Sequence, residues 1–95
     1  MTLFRSPLLD VAIRDVTITQ ALFEALEEAP ERVVLIDGPT GETWTGAKVM
    51  HDIKSLAGGL TARGYGAGHR IALMAPNCPE FAVVFHAVAW AGGTL

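Results

Sequence analysis

The stretch from Arg70 to Leu95 constrains the fold more than any other part of the chain. Arg70-Ile71-Ala72-Leu73-Met74-Ala75 reads as a strand, and Pro76-Asn77-Cys78-Pro79 as a turn. An apolar helix follows from about Glu80 to Ala91, and Gly92-Gly93 end it. This is the front of a strand–helix–strand crossover, whose second strand runs parallel to the first. Thr94 and Leu95 are, on this reading, too short to pair, and the chain is expected to be cut short. The first strand is nearly all apolar, which predicts cover on both faces.

The rest of the chain divides readily. Residues 1–16 show no helical period, and Pro7 with the mixed Leu8–Ile13 stretch predicts an extended arm lying on a larger body. Residues 17–95 are expected to form an incomplete N-terminal α/β subdomain. Ile18, Ala21, Leu22, Ala25, Leu26 and Ala29 recur at helical steps. That predicts a helix starting near Thr19 as N-cap, with Ile18 and Phe23 as a hydrophobic staple, and ending before Pro30. Val33-Val34-Leu35-Ile36 and Glu42-Thr43-Trp44-Thr45 flank a turn at Asp37–Gly41 and read as a hairpin. A second helix is predicted from Gly46 to Arg63, with Val49, Met50, Ile53, Leu56, Ala57 and Leu60 as its apolar stripe. The order is helix, β-hairpin, helix, strand, helix, truncated strand, which is an α/β pattern.

Composition narrows the function classes. Of the 95 residues 51% are hydrophobic and 18% charged, the profile of a core-forming segment. A net charge of −3 gives no electrostatic reason to expect nucleic acid or an anionic membrane as partner. The helix at 80–91 is apolar all round but far shorter than the roughly 20 residues of a membrane span, so it reads as a buried core helix. Arg5 is not followed by an apolar h-region, which argues against a signal peptide. The single cysteine, Cys78, fits a reducing, cytoplasmic setting.

No residue stands out as a catalyst, cofactor ligand or metal ligand. Gly64-Tyr65-Gly66-Ala67-Gly68 follows a helix and precedes a strand, the reverse of a dinucleotide loop, and reads as a helix stop. Cys78 precedes a helix start without a nearby base and reads as a small N-cap before Pro79. His86 lies among Phe85, Ala87 and Val88 and reads as a packed histidine with one nitrogen satisfied. His51 and His69 are too scattered to join it in a metal site. Glu24, Glu27, Glu28 and Glu31 read as a solvated helix face, and Trp44 and Trp90 as core or interface. Gly58-Gly59 in mid-helix costs about 1 kcal/mol per glycine relative to alanine, so close packing there is expected as compensation.

Four of these stretches together resemble the N-terminal portion of the adenylate-forming acyl- and aryl-CoA ligases. Thr43-Trp44-Thr45-Gly46-Ala47-Lys48-Val49 is similar to the family's L-T-Y-x-E-L motif. Leu56–Leu60, with Gly64 and Gly66, is similar to its helix-to-loop stretch. Arg70–Phe81 resembles R-V-A-L-x-x-P-N-S-P-E-F, and Ala89–Gly93 resembles the opening of L-K-A-G-x. Phe4–Val11 looks like the start of the 4-coumarate–CoA ligase branch. Lys48 stands in place of the motif's Glu, Gly46 of its aromatic, Trp90 of Lys and Cys78 of Ser. These departures predict a weaker start to the second helix, a missing anchor at 46 and a poorer cap at 78.

The resemblance implies a two-step reaction, in which a carboxylic acid and ATP form an acyl-adenylate and CoA thiol then displaces AMP. ATP, Mg²⁺ and CoA belong to the full-length relatives, whose phosphate loop, nucleotide motifs and catalytic lysine lie downstream. The segment itself is expected to bind none of these cofactors and to be inactive alone. A second class stays open: a short assembly module that self-associates through an open strand edge beside 70–75.

Overall fold

The computed structural model describes residues 2–95. Its elements are α1 (Ile18–Glu28), β1 (Val33–Ile36), β2 (Thr43–Thr45), α2 (Gly46–Ala62) and α3 (Pro79–Trp90). The α/β class and the order helix, hairpin, helix, helix follow the pattern of the sequence, whereas the strand expected at 70–75 between α2 and α3 is reduced to a single bridge at Arg70. Helix α2 packs most extensively on α3, α1 touches both, and the hairpin of β1 and β2 joins α2 through β2.

Helix α1 begins two residues earlier than expected. Thr17, with extended backbone, is the N-cap, and its Oγ1 accepts the Gln20 N–H at 3.1 Å. Thr19 sits inside the helix and is buried, and the proposed staple is absent. Ile18 is 61% exposed, while Phe23 enters the core. The buried face is Thr19, Phe23 and Leu26, with Leu22 packed beside it. Phe23 swings the face round because its ring finds Trp90, centroid to centroid at 4.9 Å. Glu24, Glu27, Glu28 and Glu31 are exposed, and Glu24 pairs with Arg14 at 2.6 Å. Both partners of that pair are about half exposed, so it contributes little to stability.

Strands β1 and β2 are antiparallel, with an irregularity between Val33 and Leu35. β2 runs straight into α2: Thr45 is the last strand residue and also the N-cap, its Oγ1 accepting the Lys48 N–H at 3.2 Å. Lys48, in place of an acidic residue, is accommodated by Asp52 one turn on, at 2.7 Å, and by the Trp44 ring beneath it at 4.1 Å. At Gly46 a Cβ would stand 3.4 Å from Leu26 Cδ2. The place left by the missing aromatic is thus closed by α1 drawing near.

The apolar stripe of α2 buries Val49, Ile53 and Ala57 against Val83 and Ala87 of α3. Ile53 and Ala87 are wholly shielded. Each fully buried aliphatic of this size contributes about 1.5–3 kcal/mol. Both helices end alike. After α2, Tyr65 N–H donates to Leu60 O (2.9 Å) and Gly64 N–H to Thr61 O (3.0 Å). After α3, Gly93 N–H donates to Val88 O (2.9 Å) and Gly92 N–H to Ala89 O (3.0 Å). These are paired helix-terminating bonds around a left-handed glycine, with φ of +84° at Gly64 and +89° at Gly92.

Three expectations are corrected. Thr94 does pair: Arg70 and Thr94 form a parallel bridge, with Ile71 N–H donating to Thr94 O at 2.8 Å and Thr94 N–H to His69 O at 3.0 Å. The crossover is therefore closed at its base, although residues 71–75 run on without a ladder. That segment is not covered on both faces, since Ala72 is exposed and Met74 fully so. Nor is α3 buried all round. Val83, Ala87 and Val88 form its inner face, while Phe81, Phe85 and Trp90 remain 39–45% exposed.

The glycine pair of α2 is a fourth correction. A Cβ at Gly58 or Gly59 would meet nothing within 4 Å among the described residues. Gly66 is the opposite, since its Cβ would lie 2.7 Å from Ala91 O. Urea unfolding separates the two: Gly58→Ala raises the stability of this chain by about 0.5–1 kcal/mol. Gly66→Ala lowers it by about 1–3 kcal/mol through forced displacement of the loop.

Candidate functional site

The glycine loop, Cys78, His86 and the two tryptophans each have a structural role in the fold, whereas His51 is exposed. The glycine loop at 64–68 docks on the end of α3, with Gly66 against Ala91 and Gly92 against Ala67. Its Gly66 N–H donates to His69 Nδ1 at 3.1 Å, and the His69 ring stands edge-on to Tyr65. The Gly66 amide is thus engaged within the loop. The loop fits a helix stop and does not fit a nucleotide cradle.

Cys78 is the N-cap of α3 with Pro79 next, and its thiol makes no capping bond. It lines a shallow cavity of about 330 Å³ with Leu35, Ile36, Asp37, Pro39 and Asn77. The Asp37 carboxyl shares this space with the helix start, which makes it a poor seat for a phosphate or carboxylate.

His86 bridges α3 to α1. Its Nδ1 lies 3.0 Å from Thr19 Oγ1, the hydroxyl donating while that nitrogen is unprotonated. Thr19 is 1% exposed, so this bond satisfies a hydroxyl that would otherwise be buried unpaired. Burial pushes the His86 imidazole below its ordinary 6.5. The sequence showed a packed histidine with one satisfied nitrogen; its partner, 67 residues away, carries no local signal.

His51 is exposed on α2 and His69 belongs to the loop, so the three histidines stay apart. Among the described residues no group of three His, Cys, Asp or Glu is placed to hold a metal ion. No described helix is long and apolar enough to cross a membrane. Trp44 is buried with its Nε1 unpartnered in the structure, a packing residue under Lys48. Trp90 stacks on Phe23 and stays half exposed.

The fold and these contacts define a class: an α/β packing unit whose conspicuous residues hold elements together. A sequence model of the AMP-binding enzymes matches residues 22–95. Rice 4-coumarate–CoA ligase 3 is 38% identical over 93 residues, 97% of this chain and 17% of the rice protein. Rice 4-coumarate–CoA ligase 5 is 41% identical over 83 residues, 86% of this chain and 15% of its own length. The loblolly pine (Pinus taeda) 4-coumarate–CoA ligase is 38% identical over 84 residues, 87% of this chain and 16% of the pine protein. The chain belongs to the AMP-binding enzyme family. It spans about one-sixth of the length of the curated relatives it matches.

The bare N-cap at Cys78 gives a direct test. Cys78→Ser, which supplies a hydroxyl acceptor for the first-turn N–H groups, raises stability by about 0.5–1 kcal/mol in thermal or urea unfolding. An unchanged or lowered midpoint would show that the thiol's packing against Leu35 and Pro39 outweighs the cap.

Proposed function

We propose that this chain is the N-terminal scaffold of an ATP-dependent carboxylate–CoA ligase. In the reaction of such an enzyme, a carboxylate oxygen attacks the α-phosphorus of ATP and pyrophosphate leaves. The CoA thiol then attacks the acyl carbon of the adenylate and AMP leaves. The observation that carries the scaffold reading is the engagement of the residues that looked chemical. His86 serves Thr19, Gly66 serves His69 and Ala91, and Cys78 starts α3. Family membership supplies the reaction class. ATP, Mg²⁺, CoA and a carboxylic acid are ligands of the whole enzyme on this reading, with no step routed through the residues here. The names of the relatives favour an aryl-propenoic acid of the coumarate type. The lone cysteine favours a reducing, cytoplasmic setting. The arm at 1–16, with Phe4, Leu9 and Ile13 each at least 95% exposed, is the part that lies on a larger body.

Incubating this chain with ATP, Mg²⁺, CoA and a panel of cinnamic and fatty acids gives no thioester and no pyrophosphate, and ATP leaves its melting temperature unmoved. Turnover would overturn the scaffold reading.

A second reading is favoured by one feature. No backbone hydrogen bond is made by the N–H groups of Ala72 to Ala75 among the described residues, and Met74 is fully exposed. Such an edge suits pairing with a second copy. A defined dimer in solution that Met74→Lys dissolves would favour an assembly module over a ligase scaffold.

A further inference from the structure

We infer that the Thr19–His86 contact is a proton-sensitive latch that holds α1, and the arm attached to it, on the rest of the unit. The contact spans two helices that otherwise meet through Phe23 and Trp90. His86 also lines a cavity of about 220 Å³ where α1, β1, α2 and α3 converge. The groups facing that cavity with His86 are Leu22 and Leu26 from α1, Val34 and Leu35 from β1, Val49 from α2 and Ala82 from α3. None is charged. The ring's other close neighbour, Phe85, stands edge-on at 5.0 Å and is also neutral. Glu24 is paired with Arg14 and Asp52 with Lys48.

An imidazolium at this place therefore gains no counter-charge. Protonation of Nδ1 also reverses the bond: the buried Thr19 hydroxyl must accept instead of donate, and its own proton needs another acceptor. Lifting α1 away returns the ring to water, where its ordinary pKa of about 6.5 is restored. The sign follows from linkage. The open form takes up a proton more readily than the closed one, so the latch holds fully above about pH 6.5 and weakens as pH falls through that value. This sensitivity rests on the geometry of α1 and α3 and is independent of the ligase reading.

Amide hydrogen exchange on this chain tests it, with rates corrected for the intrinsic pH dependence. Between about pH 7.5 and about pH 5.5, protection of the Leu22–Leu26 amides falls several-fold, roughly three- to tenfold, relative to the Val49–Ala57 amides of α2. His86→Asn offers Thr19 an amide that does not titrate in this range, and in that variant the α1-to-α2 ratio is constant with pH. His51 and His69 remain in both chains, so the comparison isolates His86. A ratio that does not change with pH in the parent chain would overturn the proposal. So would an equal change in the variant, or an α1 that is unprotected at both pH values.

Discussion

The packing of α2 on α3 is the contact on which the remaining structure depends. Ile53 and Ala87 meet there without solvent, and small residues, Ala57 and Ala87, let the two helices approach closely. Each end of that pair then positions something. At its start α2 continues directly from β2 through Thr45, which fixes the hairpin. At its finish the Gly64 turn sends the chain back along α3, where Gly66 seats on Ala91 and brings His69 and Arg70 beside Thr94. Helix α1 is added to this frame through Phe23, Leu26 and the Thr19–His86 bond.

The unit is well closed on one side and open on the other. Its radius of gyration is 16.4 Å, against about 13 Å for a compact domain of this length. The excess comes with an arm whose Leu3, Phe4, Leu8, Leu9, Val11 and Ile13 are 72–98% exposed. The outer face of α3 and the run from Ala72 to Ala75 add further apolar surface. Exposed apolar side chains in this number suit contact with other protein. On the proposed scaffold reading, a larger ligase body supplies that contact. The one-sixth span relative to the 4-coumarate–CoA ligases agrees with that reading.

Much of the frame was legible in the sequence, and what was missed shares a physical cause. The stripe of α2, the Pro79 start of α3 and the glycine stops are set by neighbours a few residues away, so periodicity and capping chemistry reveal them. The cap was expected at Thr19 and lies at Thr17, and the buried face of α1 carries Phe23, whose partner Trp90 is far along the chain. The Arg70–Thr94 bridge was missed because strand length was weighed, whereas the loop and the end of α3 had already brought the two residues together. Gly58-Gly59 promised a close neighbour, and no described residue supplies one. The same division holds for chemistry. The reading of the glycine loop as a helix stop rests on its place after a helix, which is local information. The partner of His86 is not local, and only the fold shows what the ring does.

A segment exchange tests the scaffold claim most directly. The matching 93-residue region of rice 4-coumarate–CoA ligase 3 is replaced by this chain, and thioester formation is measured across a panel of cinnamic and fatty acids. If this chain is scaffold, the folded chimera keeps the rice enzyme's order of preference among acids and its kcat to within about tenfold, the loss reflecting imperfect packing. A folded chimera whose acid preference changes with the inserted segment would contradict the account, because the segment would then be helping to select the substrate.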